Sequence, residues 1–266
     1  MGTDYVHGYT AAETRRLADQ ASTLAELLHG GTQYPAGSRV LEAGCGVGAQ
    51  TVQLVTRSPG IELVAVDLSE ESLTQAKARV AAEAPEARVD WRHTDLHDLP
   101  DGDFDHVFVC FVLEHVPDPR ATLRNLRARL KPGGTITVIE GDHGSAFFHP
   151  HSPAAQANIN CLVDLQARAG GDSLIGRRLQ PLLTDAGYDD VHAVPRTVYA
   201  DQTLPHLVDG FTRKTFIAMV DSVRDRALAA GLRTEQEWAT GRRDLERSAE
   251  PGGTFHYTFF KALGRR

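Results

Sequence analysis

The sequence predicts an α/β protein built on a doubly wound, mostly parallel sheet. Three observations carry this. Residues 39–140 alternate short apolar runs with amphipathic stretches at a strand–helix–strand rhythm. A glycine-rich turn, Gly44-Cys45-Gly46-Val47-Gly48, joins the first run to the first amphipathic stretch. The run Phe104 to Val112 is almost wholly apolar, as expected of a strand covered on both faces.

In chain order, residues 10–29 read as a helix with Leu17, Leu24, Leu27 and Leu28 on its apolar side. Arg39 to Ala43 is the first strand, and 48–57 the helix after the glycines. Ile61 to Val66 is the second strand, closed by Asp67. Ser69 is a natural N-cap, with Glu70 and Glu71 in the first turn where the helix dipole favours anions. Leu73, Ala76 and Val80 follow at helical spacing. Arg88 to His93 alternates as a third strand, and Phe104 to Val112 is the fourth. Pro119 starts a helix whose stripe is Leu123, Leu126 and Leu130. Pro132-Gly133-Gly134 turns it into the strand Thr135 to Glu140. The rhythm then breaks. Gly141 to Pro153 reads as a loop, 154–169 and 175–186 as helices, and 191–199 as a strand. Residues 204–230 and 234–248 read as helical, and Thr254 to Ala262 as a final strand.

Composition narrows the function classes. The 266 residues carry 35 acidic and 28 basic side chains, a net charge of −7. Neutralising phosphates takes a basic face, so a nucleic-acid partner is not expected. The longest apolar run, Val107 to Leu113, is far short of the roughly 20 residues that span a bilayer, and the N-terminus lacks a signal-peptide pattern. Three cysteines without CxxC pairing suit a reducing compartment and speak against a zinc site. A cytoplasmic protein without a metal is expected.

The chemistry starts at the glycine turn. Glycines between a strand and a helix allow a sharp turn and a close ligand approach, and the helix N-terminus offers unpaired N–H groups. Asp67, 23 positions beyond Gly44, closes the next strand, where a carboxylate takes both hydroxyls of a ribose. Gly44-x-Gly46-x-x-Ala49 also satisfies a loose dinucleotide fingerprint. Glu42 discriminates, because an acid there suits a cationic ligand and repels a pyrophosphate.

Taken together, Leu41-Glu42-x-Gly44-Cys45-Gly46-x-Gly48, Val66-Asp67, Thr94-Asp95-Leu96, Phe104-Asp105 and Leu130-Lys131-Pro132-Gly133-Gly134 resemble the class I S-adenosylmethionine-dependent methyltransferases. The resemblance implies a Rossmann-like seven-stranded sheet with an antiparallel last strand. It implies S-adenosylmethionine as cofactor and S-adenosylhomocysteine as product. It places the cofactor against Glu42, Gly44 and Gly46, with Asp67 on the ribose and Leu68 beside the adenine. Thr94, Asp95 and Leu96 follow, Asp95 on the adenine amine, while Cys110 and Phe111 lie near the sulfonium. Arg16 and Gln20, four apart on one helix face, are candidates for the cofactor carboxylate.

Methyl transfer is an in-line displacement, for which the protein supplies proximity worth roughly 7–11 kcal/mol. It also supplies a base where the nucleophile carries a proton. Glu114, His115, His143 and Tyr9 are the candidates, His being the natural base near neutral pH. His149 and His151 lie just beyond, and His206 is a weaker candidate. The segments around Tyr5-Val-His7-Gly8-Tyr9 and Glu140 to His149 resemble bacterial natural-product methyltransferases, some of which act on indole-type rings. The expected acceptor is therefore a small aromatic or heteroaromatic molecule, with the choice among carbon, nitrogen and oxygen left open. A nicotinamide-dependent oxidoreductase and a non-catalytic cofactor-binding protein stand as alternatives. The expected organisation is one domain, monomeric or homodimeric. It comprises an N-terminal helical lid (1–36), a cofactor-binding core (37–140), cap insertions (141–175 and 203–250) and the rest of the core (176–202 and 251–266).

Overall fold

A computed structural model describes residues 23–99 and 102–266. Seven strands form one sheet in the order β3-β2-β1-β4-β5-β7-β6. They are β1 (Arg39–Ala43), β2 (Glu62–Asp67), β3 (Val89–His93), β4 (Phe104–Cys110), β5 (Leu130–His149), β6 (Asp189–Ala200) and β7 (Thr254–Arg265). β3, β2, β1, β4 and β5 run parallel; β7 is antiparallel to both of its neighbours. The strand order reverses between β1 and β4. In open α/β sheets ligands bind there, beyond the carboxyl ends of the strands.

The helices follow from local chemistry. α1 (Ala25–His29) lies within the stretch expected to be helical over 10–29. α2 (Ala49–Arg57) follows the glycine turn. α3 (Glu70–Glu83) is capped by Ser69, whose hydroxyl accepts the Ser72 N–H at 3.1 Å, and it buries Leu73, Ala76 and Val80. α4 (Pro119–Arg129) starts on proline behind an Asp118 cap, an arrangement that costs no backbone hydrogen bond.

The chain divides into two compact units. One holds Ala25–Glu140, Ile175–Pro195 and Phe260–Arg266. Its core joins Leu41, Val64, Val107, Val109 and Val138 of the sheet to Leu123 and Leu126 of α4. Two of the motif residues serve structure here. Lys131 on β5 pairs with Asp105 on β4 at 2.7 Å, and Asp105 also accepts the Arg39 N–H at 2.9 Å. The other unit holds Gly141–Leu174 and Arg196–Phe259, with Thr23 and Leu24. In it α5 (Pro153–Arg168) crosses the helix Glu235–Glu246 closely: Asn158 Nδ2 donates to the Trp238 carbonyl at 2.9 Å, and a Cβ on Gly241 would lie 2.4 Å from the Ala154 carbonyl oxygen.

The structure departs from the sequence expectation in several places: β5 begins at Leu130, expected on the helix, β4 ends at Cys110 rather than Val112, and two further stretches differ more. β5 does not end at Glu140 but runs on to His149, so the expected loop is strand for most of its length. Its buried Asp142, His143 and Ala146 explain why it stays extended. The helix expected over 204–230 is broken into pieces, with a wider π-helical turn over Val208–Ile217. There the Thr215 hydroxyl also donates to the Gly210 carbonyl at 2.8 Å. Phe211, Phe216, Ile217, Met219 and Val220 are all buried in this stretch, so they pack the unit rather than line an open pocket. No helix among the described residues is long and apolar enough to cross a membrane.

Candidate active site

The turn after β1 is tied to β2 at three points. Gly44 and Cys45 both donate their N–H to the Val66 carbonyl at 2.9 Å. Gly46 donates its N–H to Asp67 Oδ2 at 2.7 Å, and Asp67 Oδ1 accepts the Ser69 N–H at 2.9 Å. Burial raises the pKa of the Asp67 carboxyl, and the N–H groups of Ser69, Gly46 and Leu68 pull it back. The three glycines differ in what their bareness serves. A Cβ on Gly44 would sit 2.5 Å from Val112 Cγ2, and one on Gly48 would sit 2.8 Å from Ala76 Cα. A Cβ on Gly46 would meet nothing within 4 Å among the described residues. Gly44 and Gly48 therefore permit close packing, while Gly46 borders open space.

Below the turn, Glu42 is only 2% exposed and its Oε2 accepts the Thr51 hydroxyl at 2.7 Å. Burial pushes its pKa up to about 8, against the opposing Thr51 hydrogen bond. The charged carboxylate expected from the sequence is thus held mainly neutral at pH 7 in the ligand-free protein. Beside Asp67, the apolar Leu68 side chain is 57% exposed, and its carbonyl is bonded to His93 Nε2 at 2.8 Å. Asp95 fixes its own loop by taking the His97 N–H on Oδ1 at 2.8 Å, and Leu96 packs onto the core. Thr94 directs its hydroxyl to the Asp98 carbonyl at 3.1 Å, which gives it a loop-closing role.

The end of β4 carries the second half of the site. Cys110 is buried, and burial raises its thiol well above the ordinary value. Phe111 follows at φ 59° with its N–H donated to the Ile139 carbonyl at 2.9 Å. A bulky residue at positive φ is a strained conformation of the kind that gathers at functional sites. The next turn, Leu113–His115, sets Glu114 Oε1 3.5 Å from His115 Nε2. Sequence reading missed Glu140, the residue that holds this turn. Its Oε1 accepts the N–H groups of Val112 at 2.9 Å and Leu113 at 2.7 Å, and the Glu114 N–H adds to them. An acid closing the apolar run Ile136 to Ile139 was the available signal.

Glu42, Gly44, Gly46, Asp67, Leu68, Thr94, Asp95, Leu96, Cys110, Phe111, Glu114 and His115 thus all follow or end strands β1 to β4 within one unit. His143 belongs to the other unit. There its Nδ1 bonds the Tyr257 hydroxyl at 2.7 Å, and its ring meets Phe216 edge-on at 6.3 Å. Of the outer histidines, His151 stacks on Phe148 at 6.1 Å. Tyr9, Arg16 and Gln20 lie outside the described residues, as do Tyr5 and His7. The donor set suits a nucleoside with a cationic end: a pre-fixed carboxylate on β2, an exposed apolar side chain beside it, open space at Gly46, and buried acids below.

The chain is similar to several known proteins. Residues 41–136 match the family model described as a methyltransferase domain. An uncharacterized 37.1 kDa protein in a transposon of Streptomyces fradiae is 32% identical over 200 residues, covering 73% of this chain and 54% of that protein. The 27-O-demethylrifamycin SV methyltransferase of Amycolatopsis mediterranei is 29% identical over 139 residues, covering 52% and 51%. This chain spans about half the length of these relatives. Among solved structures, a Haemonchus contortus phosphoethanolamine N-methyltransferase bound to S-adenosylhomocysteine shares the fold, with a TM-score of 0.57 at 17% identity over 92% of this chain and 52% of that one.

Proposed function

We propose that this chain, which carries a methyltransferase domain of the class I S-adenosylmethionine-dependent family, methylates a small aromatic or heteroaromatic molecule such as an indole-type natural product. The observation that carries the cofactor half is Asp67, held by the Gly46 and Ser69 N–H groups beside the open space at Gly46. S-adenosylmethionine supplies an activated methyl group on a sulfonium. On this reading Asp67 takes the ribose hydroxyls, Leu68 covers the adenine, and Asp95 and Leu96 flank its amine with Thr94 closing their loop. Glu42 and the Gly44–Gly46 backbone receive the methionine end, and Cys110 and Phe111 border the reacting sulfur. Arg16 and Gln20 bind the cofactor carboxylate.

The acceptor half rests on Glu114 with His115. Their carboxylate–imidazole pair stands in the same unit as the glycine turn, where it can take the proton that the acceptor loses. His143 and Tyr9 are the remaining candidates for orienting the substrate. A small-molecule acceptor is supported by the relative named for 27-O-demethylrifamycin SV. Calorimetry tests the cofactor half. The protein should bind S-adenosylhomocysteine, and Asp67→Ala, which removes charged hydrogen bonds worth about 1.5–3 kcal/mol, should weaken binding about 10- to 100-fold. Absence of binding by the unaltered protein sinks the reading.

A further inference from the structure

We propose that Glu140 is a positioning residue that acts through Glu114: the two buried carboxyls hold one proton between them and serve the reaction as a single base. The inference rests on the methyltransferase reading above. Its starting point is an incomplete set of hydrogen bonds. Glu140 is fully buried at the end of the parallel part of β5, and Glu114 is 9% exposed on the turn that Glu140 secures. Glu140 spends Oε1 on the Val112 and Leu113 N–H groups. Its Oε2 is sealed from water and has no hydrogen-bond partner among the described residues. An ionised carboxylate there has backbone N–H groups to stabilise it but leaves one oxygen without a donor in a site sealed from water, which is costly, and a proton on Oε2 removes that charge.

Among the described residues the surroundings favour one charge, not two. Glu114 is the carboxyl that acts most strongly on Glu140, and burial and this like charge both push Glu140 well above the carboxylate range. Cys110 on β4 feels Glu140, Glu42 on β1 and Glu114, with Lys261 on β7 as the opposing cation. That lysine is already engaged with the Gly30 carbonyl at 3.0 Å and the Thr32 hydroxyl. His115 stands 3.5 Å from Glu114, and Asp142 follows two positions on in β5. Neighbouring acids of this kind titrate as a pair.

The chemistry balances simply. Before reaction the pair carries one proton and one negative charge, with the ionised oxygen on Glu114. When the acceptor loses its proton, that proton passes to Glu114, and the pair then carries two protons and no charge. Passing one proton to solvent by way of the part-exposed His115 restores the starting state.

The test needs no methyl acceptor. Carboxyl-carbon NMR of the ligand-free protein, labelled at glutamate, follows Glu114 and Glu140 through a pH titration, with Glu42→Gln assigning the third buried acid. Wild type should show both resonances moving in the same two steps. Glu140→Gln keeps an oxygen for the two N–H groups. It should collapse Glu114 to a single step with a lower midpoint, because a neutral neighbour no longer opposes ionisation. Should that variant misfold, Glu114→Gln must lower the Glu140 midpoint instead. Independent single-step titrations in wild type, or a Glu114 curve unmoved by Glu140→Gln, would overturn the proposal. S-adenosylhomocysteine affinity is measured on the same samples. Binding without paired titration refutes this inference alone, and loss of binding in wild type refutes the methyltransferase reading itself.

Discussion

Glu42 is one side chain whose burial works against the stability of the fold. On β1, buried and bonded to Thr51, its pKa stands near 8, against an ordinary value of 4.5. Between those values the folded protein holds a proton that the unfolded chain has released. The sign follows: Glu42 lowers stability as pH rises from about 4.5 to about 8, by up to roughly 1.4 kcal/mol per pH unit, and adds no further slope above. Glu42→Gln removes the titrating proton while keeping an acceptor for Thr51. Urea unfolding should show a shallower loss of stability between pH 5 and pH 8 in the variant, with the variant the more stable of the two at pH 8. Its affinity for S-adenosylmethionine should fall, since the cationic ligand is what rewards an ionised Glu42. Identical pH slopes in the two proteins would show that Glu42 is ionised throughout. The sequence displayed this residue as an acid two places before a glycine. Its protonation state depends on burial and on Thr51, nine residues away, and no local pattern displays that.

At the scale of elements, the β1–α2 turn divides its glycines by task. Gly48→Ala places a methyl 2.8 Å from the Ala76 Cα, a backbone atom of α3 that cannot swing aside, at a φ of 77°. Overpacking and backbone strain together should cost about 2–5 kcal/mol. Gly46→Ala meets no atom of the described residues, so at φ 51° it should cost the strain alone, about 1–2 kcal/mol. Its methyl would instead enter the space that the proposed function assigns to the cofactor. Urea unfolding should therefore rank Gly48→Ala as the less stable variant, while calorimetry finds the lost S-adenosylhomocysteine affinity in Gly46→Ala, out of proportion to its unfolding. Equal behaviour would mean that the turn is one structural unit with no ligand face. The turn itself was legible because strand, glycines and helix lie consecutively in the chain. The extension of β5 to His149 was not, because pairing with β7 depends on residues more than 100 positions away. Glu140 escaped notice for the same reason: at the edge of an expected loop it read as a strand-ending acid, and only the fold brings it to the Val112 and Leu113 N–H groups. Phe111 is a further case, since nothing in Cys110-Phe111-Val112 signals a positive φ.

For the whole molecule, the two compact units are not successive pieces of chain. The boundary falls after Leu24, Glu140, Leu174, Pro195 and Phe259, so β5, β6 and β7 each belong to both units. A chain threaded this way cannot be cut once to release either unit, and three continuous strands run through both. The two tryptophans report on this directly. Trp91 lies on β3 in one unit, and Trp238 is buried in the other. Single-tryptophan variants, Trp238→Phe and Trp91→Phe, should give thermal transitions with the same midpoint, each measured against circular dichroism of the same sample. S-adenosylhomocysteine at 100 times its dissociation constant should stabilise the protein by about 2.7 kcal/mol. That increment should raise the Trp91 and Trp238 midpoints together, although every described candidate cofactor residue lies in the unit of Trp91. A Trp238 transition that precedes the other and ignores the ligand would show instead that the strands do not carry cooperativity across the boundary. The unit with His143 and Tyr257 would then fold and open on its own terms.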